Sequence, residues 1–301
     1  MAIDFLKRIS KKIGDDCAVL EKGIIITTDA FLENTHFELK YFSFSDIAKK
    51  SFSATLSDIA AMAGIPKYLF IAFLYPSYLK EKDFKEMYNT YKNLAKKYKV
   101  EIAGGDIVKS KKLGITLTCL GYAKKPILRN TAQIGDKVYI TGFVALSETG
   151  RLVLKYNLDR KKFKRAIRKH LDPEPRIKLA QILKNRINAL IDTSDGLACD
   201  SYNLAKASKI MMEIDFDKLP IAEETYLLCE KLNLDLKEFV LKSGEDFELL
   251  FTANKKIPKE IDKIKINEIG IVKKGKGVYL IKEDKREKVL PIGYQHIIND
   301  S

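Results

Sequence analysis

A chain of 301 residues with 46% hydrophobic and 31% charged residues can bury a core in two domains of ordinary size, which excludes a disordered polypeptide. Lys and Arg number 54 against 40 Asp and Glu, a formal charge of +14. The basic runs at 96–99, 160–165 and 273–278 are spread along the chain and interleaved with acids, so they read as solvated faces and no nucleic-acid partner is expected.

From the N-terminus, nothing resembles a cleavable leader, and no apolar run reaches the eighteen or so residues a membrane helix needs. Cys17, Cys119, Cys199 and Cys229 have neither CxxC nor disulfide-like spacing. A cytoplasmic protein with reduced cysteines is expected. The run IIITTD (24–29) is β-branched and reads as a strand ending on Asp29. Ser45 or Asp46 is expected to cap a helix that carries Asp58 and stops at Gly64 and Pro66. A strand follows at 68–75. Residues 81–99 place Phe84, Met87, Tyr88, Tyr91 and Leu94 at helical spacing, an amphipathic helix. Strands are expected at 100–105, closing on Asp106, and at 114–123. The polar, Pro- and Gly-marked stretch 124–136 is the domain boundary, which we set near 135, giving domains 1–135 and 136–301. Beyond it lie strand candidates at 137–142, 189–192, 247–252, 268–272 and 277–281. Helical stretches cover 145–185, broken by LDPEPR, and 197–208. Each half mixes strands and helices, so the fold class is α/β (α+β) with two domains and a ligand between them.

The chemistry-bearing feature is recurrence. IGDD, TTD, LSD, GGD and DTSD each place aspartates beside Gly, Ser or Thr near an apolar run: Asp15 and Asp16, Asp29, Asp58, Asp106, Asp192 and Asp195. One such aspartate is most simply a cap or turn residue, and Asp15 is read that way. Five such motifs are not. Unit charges 4 Å apart interact by about 4 kcal/mol at an effective dielectric of 20, so converging carboxylates must protonate or bind cations. Magnesium uses carboxylates together with substrate phosphates, and more than one ion is implied. Gly104–Gly105 and the Ser194–Gly196 turn could bring backbone N–H groups to a phosphate. There is no P-loop sequence, kinase HRD or DFG motif, or zinc motif. The expectation is a multi-magnesium, nucleotide-dependent phosphotransferase.

In order, IGDDCAV, TTDAFLENTHF, LSDIAAMAG, EIAGGDIV, RNTAQIGDKVYITG, DPEPR, LIDTSDGLACD, SGEDFELLFT and GYQHI resemble the motifs of the thiamine-monophosphate kinase family, over residues 13 to 297. The resemblance implies the two-domain fold shared with aminoimidazole-ribonucleotide synthetase, and a homodimer whose N-terminal sheets join across the two-fold axis. It implies phosphoryl transfer from ATP to thiamine monophosphate. Asp16, Thr27, Thr28, Asp29, Asp58, Asp106, Asp192 and Asp195 then fall at magnesium positions. Gly105, Asp106, Arg129, Ser194 and Tyr88 fall at ATP positions, with a core-aromatic reading of Tyr88 left open. His36, Glu245 and Tyr294 fall at thiamine-phosphate positions. The acceptor is already an ionised phosphate, so no general base is expected. Two departures stand out: the family's SGGED is here Lys242-Ser243-Gly244-Glu245-Asp246, and FVALSETG after Gly142 lacks a Gly-Asp pair. Another ATP-dependent member of the superfamily is the nearest alternative. A basic nucleic-acid-binding protein is the alternative from a different class.

Overall fold

The computed structural model describes residue 10 and residues 12–293. A first sheet contains β1 (Ala18–Val19), β2 (Ile24–Leu32), β3 (Ile65–Pro76), β4 (Glu101–Ser110) and β5 (Gly114–Tyr122), in the order β1-β2-β5-β3-β4. Only the β3–β4 pair is parallel. Strand β2 alternates as a half-buried strand must: Ile25, Thr27 and Phe31 face inward, whereas Thr28, Ala30 and Leu32 are exposed.

This sheet packs on α1 (Phe44–Ala61) and α2 (Glu81–Tyr98). Ser43 caps α1, in place of the expected Ser45 or Asp46. Its hydroxyl accepts from Asp46 N at 3.0 Å and Asp46 accepts from Ser43 N at 3.3 Å, a reciprocal capping box. Along α2 the expected stripe is buried at Met87, Tyr91 and Ala95.

The second sheet is built from β6 (Lys137–Thr141), β7 (Ala189–Asp192), β8 (Met211–Asp215), β9 (Leu249–Ala253), β10 (Glu260–Ile261), β11 (Ile264–Lys273), β12 (Gly277–Lys282) and β13 (Lys285–Val289). Its order is β13-β12-β8-β11-β6-β9-β7, with β10 on β11. The accompanying helices are α3 (Leu146–Lys155), α4 (Lys164–Leu171), α5 (Ile177–Leu183), α6 (Leu197–Ser208), α7 (Glu223–Leu232) and α8 (Leu236–Lys242). Among the described residues, no helix is long and apolar enough to cross a membrane.

The first core joins Ile25, Phe52, Leu69 and Tyr91. Two more cores cover the faces of the second sheet, one through Val138, Met212 and Leu250 and the other through Tyr139, Leu190 and Phe251. The last of these also takes in Ala60 and Ala63, at the end of α1, against Leu179 and Leu183 of α5. Helix α1 is therefore packed by both sheets, which explains why thirteen of its eighteen residues are buried.

Two strands run further than the sequence suggests. Asp29 does not end β2: the strand continues to Leu32, with Phe31 paired to Ile115. Nor does Asp106 end β4, which runs on to Ser110 beside β3. An aspartate is a poor strand residue by propensity, but continued pairing and the burial of Phe31 override that preference.

Candidate active site

Aspartates from three elements and the segment before β1 gather where α1 meets the two sheets. Asp16 lies just before β1, Asp29 in β2, Asp58 in α1 and Asp192 at the end of β7. Asp16, Asp58 and Asp192 each present a carboxylate oxygen within 4.8 Å of the other two. Thr27 donates its hydroxyl to Asp58, and Ser57 Oγ donates to Asp192 Oδ2 at 2.5 Å. Arg129 Nη2 donates to Asp16 Oδ1 at 2.6 Å. Its Nε and backbone N donate to Asp15 at 3.3 and 3.1 Å, so Asp15 is more than a turn residue: it fixes the arginine.

Electrostatically the cluster is poised against itself. Burial, followed by repulsion from Asp29, Asp192 and Asp16, pushes the Asp58 carboxyl well above its usual range. Burial also lifts Asp16 well up, opposed by Arg129 and reinforced by Asp192 and Asp15. Asp29 is raised by burial. Asp192 is pushed up to about 7 by burial and the charge of Asp29, against the pull of the Ser57 hydrogen bond and Arg129. Asp16 Oδ2 and Asp192 Oδ1 are buried with no hydrogen-bond partner among the described residues. Buried carboxylate oxygens without donors are costly, and a cation is the partner that fits them.

A second acidic group adjoins the first. Asp195, Cys199 and Asp200 bring ligand atoms within 4.8 Å of one another at the start of α6. Asp200 is buried and accepts from Gly196 N at 3.0 Å. Burial and the charges of Asp195 and Asp192 raise it well above the ordinary carboxylate range.

Beside the carboxylates opens a cleft of about 1240 Å³ walled by both halves of the chain, with Thr28, Asp29, His36 and Tyr41 on one side and Ser194, Asp195 and Glu245 on the other. His36 Nδ1 accepts from Leu32 N at 3.1 Å, and its ring lies edge-on to Phe31. Thr27 and Thr28 point to opposite faces of β2, so only Thr27 reaches Asp58. Thr28 Oγ1 meets Thr118 Oγ1 at 2.9 Å.

Three expected residues stand outside this grouping. Asp106 is exposed on the edge strand β4, where its carboxylate accepts from Ile107 N at 2.8 Å. Gly105 has a packing reason of its own, because a Cβ there would sit 1.9 Å from Ile71 O of β3. Tyr88 is 50% exposed and stacks on Phe84, so it is not a core aromatic. Tyr294 lies outside the described residues. Conversely, Asp15, Ser57 and Asp200 belong to the site's hydrogen-bonding frame without having been singled out for it. Only the DD and SD doublets hinted at the first two.

Two family profiles match the chain: AIR synthase related protein, N-terminal domain, over residues 14–123, and AIR synthase related protein, C-terminal domain, over residues 133–292. The thiamine-monophosphate kinase of Aquifex aeolicus is 35% identical over 98% of this chain and 96% of its own length. That of Leptospira interrogans is 34% identical over 94% and 92%. The chain belongs to the thiamine-monophosphate kinase family. The solved structure described as AaThiL complexed with AMPPCP and TMP superposes with a TM-score of 0.89 at 33% identity, covering 98% of this chain and 96% of that one. The two-domain AIR-synthase-like fold, with its two mixed sheets, is thus the fold of this kinase.

Within this thiamine-monophosphate kinase fold, the departures from the family sequence find local explanations. Ser243 has an ordinary extended backbone (φ −71, ψ 123) at the end of α8, and its hydroxyl donates to Phe239 O at 2.6 Å. A serine is therefore at no disadvantage there. Gly244 is different, because an added Cβ would lie 2.4 Å from Ser194 O. The loop after it is laced to the Asp192 loop by main-chain bonds: Glu245 N to Ser194 O at 2.8 Å, Phe247 N to Thr193 O at 2.9 Å and Thr193 N to Glu248 O at 2.8 Å. Glu245 and Phe247 both take left-handed backbone angles (φ 61 and 49) to make this lacing. Gly244→Ala is accordingly expected to lose about 1–3 kcal/mol of stability in urea unfolding, with Ser243→Gly nearly neutral. Equal effects would refute the contact argument. In FVALSETG, Ala145 adopts φ 61 and Asp246 accepts from Ala145 N and Ser147 N at 2.6 and 2.9 Å, closing the start of α3 without the Gly-Asp pair.

Proposed function

We propose that this chain transfers the γ-phosphoryl group of ATP to the phosphate of thiamine monophosphate, yielding thiamine diphosphate and ADP. The observation that carries the reading is the convergence of buried and half-buried aspartates from both halves of the chain, two of them with buried unpartnered oxygens, at the side of a large cleft in a member of this kinase family. The donor set of the Asp16, Asp58 and Asp192 cluster is all hard oxygen, and this suits magnesium. Asp16, Asp29, Asp58 and Asp192, with Thr27, are the residues we assign to hold it where they converge. Thr28, on the opposite face of β2, and Asp106, on the edge strand β4, stand apart from them in one chain and are assigned as further magnesium ligands, and Asp195 to a further ion. When bound, magnesium supplies charge neutralisation for two anions that must meet.

The chain's own residues do the rest by positioning. Gly105, Asp106, Arg129, Ser194 and Tyr88 are assigned to ATP. Arg129, held by Asp15 and Asp16, is already oriented and needs little reorganisation to meet a phosphate. His36, Glu245 and Tyr294 are assigned to the acceptor. No side chain serves as general base, since the attacking oxygen is ionised; the bond to the ADP oxygen breaks as the bond to the acceptor oxygen forms.

We further assign the protein to the cytoplasm and to a homodimer joined through the first sheet. Exposed Phe70, Leu74, Ile107 and Val108 along β3 and β4 support that pairing. The test of function is a product assay with ATP and Mg²⁺, offering thiamine monophosphate and free thiamine separately. Thiamine diphosphate from the monophosphate alone is the expected result. No product from either would move the chain to another ATP-dependent activity of the superfamily.

A further inference from the structure

One buried cation has no part in the carboxylate cluster. Lys50 lies in the first half of α1 with its side chain 3% exposed, and its Nζ donates to Glu245 Oε2 at 2.7 Å. The ammonium is boxed in on its other sides. The Phe42 ring centroid is 5.4 Å away, and His170 Nδ1, which also lies 3.4 Å from Ser147 Oγ, is 3.5 Å away. Burial and the charges of Lys50 and Arg151 push His170 well below the usual imidazole range, so the ring stays neutral and adds no cation. Glu245 itself remains 31% exposed on the cleft wall, on a left-handed backbone braced against Ser194.

Burying a lysine is unfavourable unless a carboxylate meets it, and a carboxylate on a solvated wall does not need a buried lysine. A fixed, charge-neutral pair has a use that a lone glutamate lacks. It presents a directed acceptor oxygen to an aromatic amine while adding no negative charge beside an incoming phosphate. We propose that Lys50 is a positioning residue for the phosphoryl acceptor: from inside α1 it aims and neutralises the Glu245 carboxylate that receives the acceptor's aminopyrimidine. This rests on the function proposed above.

The test is a double-mutant cycle of Lys50→Met and Glu245→Gln, read as KM for thiamine monophosphate, KM for ATP and kcat, with thermal unfolding of each protein. Lys50→Met alone is expected to raise the acceptor KM by about tenfold or more, as loss of a charged hydrogen bond would, with the ATP KM unchanged. In the Glu245→Gln background the same change is expected to cost less than about threefold, because the group it positions is gone. Equal costs in both backgrounds, a loss of kcat with the acceptor KM unchanged, or failure of the double variant to fold would each make Lys50 merely structural and overturn the proposal. A wild-type protein that forms no thiamine diphosphate would overturn the proposal together with the function it rests on. Wild-type turnover with additive variants would overturn the Lys50 role alone.

Discussion

Asp58→Asn is expected to reduce turnover by at least about 100-fold while raising the melting temperature of the metal-free protein by a few degrees. The two effects share one cause. Asp58 lies within 4.8 Å of Asp16 and Asp192, and its carboxyl is held far above its usual range by burial and by those neighbours. Removing its charge relieves repulsion in the empty cluster and deletes a magnesium ligand from the loaded one. Asparagine keeps an oxygen for the Thr27 hydroxyl, so the local frame survives. Thermal scans with and without Mg²⁺ separate the outcomes: the wild type should gain more from the ion than the variant does. Full activity in the variant would remove Asp58 from the site.

The largest stability effect is expected at Glu248, far less conspicuous in the sequence. This buried carboxylate accepts from Lys169 Nζ at 2.5 Å, Arg176 Nε and Nη2 at 2.7 and 2.6 Å, and Thr141 Oγ1 at 2.5 Å. Although burial opposes it, the two cations hold its pKa down at about 2. Glu248→Gln leaves Lys169 and Arg176 buried without a counter-charge and should cost about 3–5 kcal/mol. The sign with pH follows from the depressed value. Glu248 contributes fully above the ordinary glutamate range, and its contribution is lost as pH falls through 4.5 towards 2. The gap between wild type and variant in urea unfolding should therefore be widest at pH 7 and shrink by pH 4. A gap independent of pH would mean that the lost stability is packing and not charge.

Much of the fold could be read from the residues because apolar periodicity and burial agree. The β2 and β5 runs are β-branched and pair residue for residue, and the α2 stripe lies where its spacing puts it. What escaped did so for local reasons. Strand β8 is MMEID, two methionines and two acids with little strand preference, held by Met212 and Ile214 facing the core. Strand β13 is KREKV, mostly charged, and exists because Glu283 and Asp284 take the left-handed angles of a tight two-residue hairpin. Helices α7 and α8 carried readable punctuation, a left-handed Asn233 ending one and Asp235 accepting from Glu238 N at 2.7 Å to start the other.

In the site, the aspartates announced themselves by repetition, whereas Lys50 did not, since a lysine on a helix is ordinarily a solvated one. Its place three residues after Ile47 and four before Ala54, both buried, is the only sequence signal that it faces inward. Thr28 shows the opposite limit: a doublet in a strand sends its two side chains to opposite faces, and adjacency in sequence is then no guide to shared contacts.

Residues 245–248 are laced to residues 193 and 194 by three bonds between backbone amides and carbonyls, to which the Thr193 hydroxyl adds a bond from Glu248 N at 3.1 Å. The spacing between the wall that meets the acceptor and the turn assigned to the nucleotide is thus set mainly by atoms that substitution does not alter. A side chain that faces the cleft, as Glu245 does, can change to suit a different small molecule while the main-chain bonds hold the reach from donor to acceptor.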